Sequence, residues 1–171
     1  PKVMVEELLF EPGISSPPEL KIWCFAGVAK LIGYHHDRFA EHTESYFDRR
    51  WNLLPWGRSL LPRPYRDPPP QWEEMIDLAE RLARGWGGFR FVRVDMYALP
   101  AGRIAFGEMT FCPGAARARF QPSTSYDLEA GQYWDDGPIA PPKPPLAPRP
   151  PTPRSLEPVI TRFAQDVAPA R

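Results

Sequence analysis

Cysteine is nearly absent: Cys24 and Cys112 stand far apart, without a CxxC spacing. Two such thiols make no disulfide scaffold and suit a reducing, cytoplasmic compartment. Net charge is absent too, with 21 Lys and Arg against 21 Asp and Glu. No long-range field is left to gather nucleic acid or an anionic membrane surface. No apolar run is long enough to span a bilayer, and no segment has the form of a signal peptide. What the chain has in excess is proline, 24 residues, many of them after Gly137. Its 171 residues suggest one domain with appended material, and 43% apolar content allows a real core. The chain opens at Pro1, without Met and inside a strand-like run, and reads as a fragment cut from a longer protein.

Residues 3–10 form a short β-rich run, broken by Glu11, Pro12 and Gly13. Residues 20–25 and 28–34 flank Ala26-Gly27, which predicts a β-hairpin. Residues 37–70 read as a long irregular segment rich in Arg, Trp and Pro, and long ordered loops usually serve function. Residues 71–84 give the clearest helix, with Trp72, Met75, Ile76, Ala79, Leu82 and Ala83 on one apolar face. Glu73 and Glu74 near its start and Arg81 and Arg84 near its end suit the helix dipole, and Gly85 suits the cap. Two strands follow, 91–99 and 104–111, joined by a turn at 100–103. After Gly137 the composition collapses into PPKPPLAPRPPTP, an extended spacer that cannot build a core. The expected organisation is a lobe over 1–137, a linker over 138–154, and a short helix or disordered tail over 155–171. That helix would start at Ser155 and carry Val159, Ile160, Phe163 and Val167 on one side.

The strand pair carries the chemistry. Side chains alternate faces along a strand, so Arg93 and Asp95 share one face while Val92, Val94 and Met96 take the other. Glu108 and Thr110 likewise share a face. If Leu99 pairs with Ile104, then Asp95 stands opposite Glu108, and Arg93 opposite Thr110. Opposed carboxylates repel, and a divalent cation would offset the repulsion. Mg²⁺ takes one or two carboxylates plus phosphate oxygens and water, and Thr110 can add a hydroxyl. Arg93 beside them can hold a phosphate or a developing oxyanion, as phosphoryl transfer requires. The same alternation also describes solvated residues on the open face of a hairpin, and spacing does not choose between the two.

The strand RVDMY, a turn, IAFGEMTF and then CPG resemble the end of the ATP-grasp fold, where Arg-x-Asp, a hairpin and Glu-x-Asn recur. With VMVEELL, LKIWCFAG, DRF, SYFDRRWNLLPW and QWEEMIDLAERLA in order, the chain is similar to the TupA-like ATP-grasp family over about residues 2–134. The resemblance implies an α+β fold, the C-terminal lobe of an ATP-grasp protein, mainly antiparallel sheet with flanking helices. It implies an ATP- and Mg²⁺-dependent carboxylate–amine ligase that forms an amide through an acyl phosphate, with a role in bacterial cell-surface polymer or exopolysaccharide synthesis. Asp95 and Glu108 match the Mg²⁺ ligands, and Thr110 fills the slot where most relatives carry Asn. Arg93 matches the arginine that steadies the acyl phosphate. Glu6, Glu7 and Leu9 match the strand that contacts adenine, and Glu19 aligns with an acid that holds the ribose. The long segment resembles the loop that covers triphosphate and acceptor, which makes Arg38, Arg49 and Arg50 candidates for phosphate. The family's other lobe carries phosphate-binding lysines and a Gly-rich loop, neither of which precedes VMVEELL, so the fragment alone is expected to catalyse nothing. A non-catalytic descendant, kept as a binding or scaffold module, is the competing reading.

Other features carry less. His35, His36 and His42 lack Cys or carboxylate neighbours at ligand spacing and read as surface or loop histidines. Trp23, Phe47, Trp51 and Trp56 read as packing. Cys112 reads as a small buried residue, because no base adjoins it. The PxxP registers around Lys143 and Arg149 suit an SH3-type partner, and equally a stiff spacer.

Overall fold

A computed structural model describes residue 9 and residues 16–58, 65–85 and 89–135. Glu6, Glu7, the rest of the expected first strand, the Pro-rich segment and the terminal helix lie outside those residues.

The hairpin forms as the sequence predicts. Strand β1, Glu19–Phe25, returns through Ala26 and Gly27 into β2, Val28–His36. Both turn residues have positive φ, 47° and 79°, the backbone that matches the twist of a two-residue hairpin. A Cβ on Gly27 would stand 2.5 Å from Cγ of Arg84, so position 27 needs glycine for space as well as for φ. The segment expected to be irregular contains a strand, β3, Thr43–Phe47. Its five residues TESYF, three polar and then two aromatic, lack the alternation that announces a strand. Helix α1, Trp72–Gly85, is followed by β4, Phe91–Ala98, and β5, Ile104–Thr110. A second helix, α2, Ser125–Gln132, follows β5.

Among the described residues the strands form one antiparallel sheet in the order β3-β2-β1-β4-β5. Helix α1 covers one face. Its Met75, Ile76, Ala79 and Ala83 pack on Leu20, Ile22 and Cys24 of β1 and on Val92, Val94 and Met96 of β4. Burial of these side chains is the main source of stability, at about 1.5–3 kcal/mol for each large one. Gln71 ties the helix start to the β4–β5 turn, donating from Nε2 to the carbonyls of Leu99 and Arg103 at 3.0 Å each.

The opposite face is divided. One end is covered by a second core around Leu31, Tyr46, Trp56, Phe120 and Ala130, with Trp23, Tyr126 and Tyr133 packed against it. Phe120 sits among Trp23, Tyr46 and Trp56 at centroid distances of 5.7, 5.3 and 5.3 Å. Asp127 of α2 accepts the Phe120 N–H at 2.9 Å and docks the helix on this core. The other end of the same face stays open and polar.

Candidate nucleotide pocket

The strand registers draw the open end as rows. Glu44, His35, Glu19 and Tyr97 lie side by side across β3, β2, β1 and β4. The next row is Tyr46, Gly33, Lys21 and Asp95. These residues share a face because each is two positions from the next on its own strand. Gly33 leaves the floor low: a Cβ there would meet Tyr46 Cε1 at 3.2 Å and His35 Nε2 at 3.3 Å.

The β4–β5 pairing refines the expected register. Arg93 pairs with Thr110 as predicted, and Val94 with Met109. Nearer the turn, Ala98 rather than Leu99 pairs with Ile104, then Tyr97 with Ala105 and Met96 with Phe106. The one-residue difference is taken up by a bulge, where Gly107 and Glu108 together oppose Asp95. Glycine suits that position, because a Cβ on Gly107 would stand 3.0 Å from the Asp95 carbonyl oxygen. The bulge restores phase, so Glu108 and Thr110 still reach the face of Arg93 and Asp95.

Arg93 holds this cluster together. Its Nε donates to Asp95 Oδ1 at 2.6 Å and its Nη2 to Asp95 Oδ2 at 2.7 Å, a bidentate pair. The same Nη2 reaches Glu108 Oε1 at 2.9 Å and Thr110 Oγ1 at 3.3 Å. Thr110 donates to Glu108 Oε1 at 2.8 Å. On the other side of Asp95, Lys21 Nζ stands 2.6 Å from Oδ2 and 2.7 Å from Oε1 of Glu19. Asp95 is therefore paired with two protein cations. The Thr110 hydrogen bond, followed by the charges of Arg93 and Lys21, outweighs slight burial and holds the Glu108 carboxyl below its ordinary value.

A cavity of about 800 Å³ opens over these residues. Four acids line it, Glu19, Glu44, Asp95 and Glu108, with four bases, Lys21, Arg38, Arg58 and Arg93. Leu9 also lines it, and so do Tyr97 and the β5 segment from Ala105 to Glu108. Arg38 reaches the pocket and donates to Glu19 Oε2 at 3.3 Å. Arg49 does not line it. Glu80, at a core-facing position of α1, is buried and accepts from Arg49 Nε at 2.9 Å and from the Ala29 N–H at 3.2 Å. That buried carboxylate draws Arg49 to the helical side of the sheet. Cys112 is exposed rather than buried, because β5 has ended before it.

The sequence reading missed Lys21, Glu44 and Arg58. Lys21 carries a local signal, since it alternates with Glu19 and Trp23 on β1. Glu44 needed β3 to be recognised. Arg58 is placed by tertiary contacts: its N–H donates to Glu44 Oε1 at 2.8 Å, and a Cβ on Gly114 would lie 3.0 Å from its guanidinium. The Pro-Gly that closes FGEMTFCPG thus leaves room for a pocket arginine.

His35 is buried, and its imidazole is pushed down to about 3, first by burial and then by Lys21, His42, Arg38 and Arg93. Burial also lowers His36, to about 4. The unfolded chain takes up these protons near pH 6.5, while the folded protein refuses them until far lower pH. Stability is therefore full above about pH 6.5 and is lost as pH falls, by about 1.4 kcal/mol per pH unit for each such histidine. Urea unfolding of wild type and His35→Asn between about pH 7 and pH 5 should show a pH dependence shallower by one proton in the variant. Equal slopes would mean that His35 is solvated.

An antiparallel sheet with a helix on one face and a charged pocket on the other is consistent with an ATP-grasp lobe. The family model described as TupA-like ATPgrasp matches residues 1–135, and the chain belongs to this family. Among curated proteins and solved structures nothing matches the chain significantly. Membership carries an ATP-dependent, ligase-type function. No helix among the described residues is long and apolar enough to cross a membrane.

Proposed function

We propose that the pocket binds ATP with Mg²⁺ and that the protein joins a carboxylate to an amine. The observation that carries this reading is the Arg93–Asp95–Glu108–Thr110 cluster at the edge of a charge-balanced cavity, within a lobe of this family. A pocket whose own charges cancel gives a bare tetra-anionic nucleotide little net attraction. It suits a nucleotide that arrives with its counter-cations.

The donor set fits Mg²⁺. Carboxylate and hydroxyl oxygens are its preferred ligands, and Glu108, with 63% of its side chain exposed, is open to an ion from the pocket. Among the described residues no group of three or more His, Cys, Asp or Glu is arranged to hold a metal. Glu108 and Thr110 would hold the ion. Asp95, buried and engaged by Arg93 and Lys21, would join them by yielding one of those pairs. When bound, the ion neutralises charge on the phosphates during transfer.

The remaining roles fall to the chain itself. Arg93, fixed by Asp95, presents a rigid guanidinium to an acyl phosphate oxygen. Leu9, at the pocket wall, offers apolar contact to the base, and Glu6 and Glu7 are assigned to the base with it. Glu19 faces the ribose, and Arg38, beside it, meets the phosphates. The acid and the amine are cell-surface polymer precursors in this reading, following the role for which the family is named.

The test is ADP release by the full-length protein with ATP and MgCl₂, screened over carboxylic acids and amines. Release that requires both an acid and an amine supports the ligase. Release that ignores them, or no release with any pair, overturns it.

A further inference from the structure

The pocket has a second polar end for which ATP binding supplies no task. The chain leaving β2 turns sharply at Asp37, φ 49°, where the Ala40 N–H donates to the Asp37 carbonyl at 2.9 Å. The Arg38 N–H anchors the return on Ser16 Oγ at 3.0 Å. This loop sets exposed His42 at the pocket wall, with its Nε2 3.0 Å from Nδ1 of buried His35. The two rings stack with 24° between their planes.

The pair has the form of a base and its orienting partner. His35 is neutral in the folded protein, since burial and the neighbouring cations keep it so. It can accept a hydrogen bond from His42 without competing for the proton that His42 takes up. With Nε2 engaged on His35, the nitrogen of His42 left to receive a proton is Nδ1. Glu44 faces the pair from β3, its Oε2 3.9 Å from His35 Nδ1, and favours positive charge there. Lys21 from β1, Arg38 from the loop, Arg93 from β4 and Arg58 from the segment after β3 line the same cavity and oppose it.

Resting on the ligase reading, we propose that His42 is the catalytic base for the attacking amine, and that His35 is the positioning residue behind it. An uncharged primary amine enters from the His42 end of the pocket. Its nitrogen lone pair forms the C–N bond to the acyl carbon. The bond from that carbon to the phosphate oxygen breaks, and its electron pair leaves with inorganic phosphate. The proton shed by the nitrogen goes to Nδ1 of His42, which later returns it to water.

Hydroxylamine gives a test that separates this role from a structural one, because it traps acyl phosphates without help from a base. The full-length protein is given ATP, MgCl₂, a panel of amino, dicarboxylic and sugar acids, and either methylamine or hydroxylamine. In His42→Gln, amide formation should fall about 100-fold or more while hydroxamate formation stays close to wild type. The acid limb of the amide pH profile should vanish in this variant. His35→Leu should lose amide in the same way. His35→Asn, whose Oδ1 stands where Nδ1 accepts, should recover most of it. Thermal melts confirm that each variant is folded. Equal loss of amide and hydroxamate, or no loss of either, overturns the role of the pair while leaving the ligase intact. Wild type that forms hydroxamate with no acid overturns the ligase reading, and the base with it.

Discussion

Arg93→Met is expected to be among the most damaging single changes, lowering stability by about 3 kcal/mol and removing ATP turnover. The guanidinium is buried at 7% exposure, and it satisfies both oxygens of Asp95, itself 1% exposed. Its loss leaves Asp95 with Lys21 alone, which stands on one oxygen only. A buried charge with half of its partners gone is a larger defect than a lost hydrogen bond. The double variant Arg93→Met/Asp95→Leu removes the stranded charge and should recover most of the stability. Its turnover should stay absent, because the guanidinium assigned to the acyl phosphate is still missing. Urea unfolding of both variants, with ADP release, checks this. A single variant as stable as wild type would mean that the pair is solvated.

Glu108→Gln should separate activity from stability in the opposite direction. The side chain is 63% exposed and its pairing with Arg93 lies at the rim, so unfolding should change by less than about 1 kcal/mol. Turnover should fall by at least about 100-fold, because even residues behind a metal ligand weaken such sites 10–100-fold when changed. The apparent affinity for Mg²⁺, read from the MgCl₂ dependence of ADP release, should weaken in parallel, with partial recovery at high MgCl₂. Unchanged Mg²⁺ dependence would remove Glu108 from the metal and leave it as a partner of Arg93. The substitution also removes the acidic group whose ionisation Thr110 and Arg93 favour.

Much of the helical face of the sheet was legible beforehand. The Ala26-Gly27 turn, the spacing of Met75, Ile76, Ala79 and Ala83, and the alternation of Val92, Val94 and Met96 are local signals, and local sterics decide them. Glu80 shows the limit. Its charge marks it as polar, yet it sits three and four residues from Ala83 and Ile76, on the buried side. The approach of the Ala29 N–H, Arg49 and Arg84 makes that position tolerable. Arg49 stands away from the pocket for the same reason, since its partner is a buried carboxylate far along the chain. Strand β3 escaped notice because its hydrogen bonds come from β2, and five residues carry little pattern of their own. Without β3, Glu44 had no place in the pocket.

By itself, the sequence determined that Arg93 and Asp95 share a face of their strand, that Glu108 and Thr110 share a face of theirs, and that the chain resembles one family. Strand alternation and motif order need no long-range information. Tertiary structure decided what neutralises Asp95, through the pairing of β1 with β4 that sets Lys21 beside it. It also decided, through the bulge at Gly107 and Glu108, that the β5 pair meets the β4 pair. The loop that lays His42 on His35 belongs to the same class, because contacts between distant segments depend on register and burial, which no local pattern encodes.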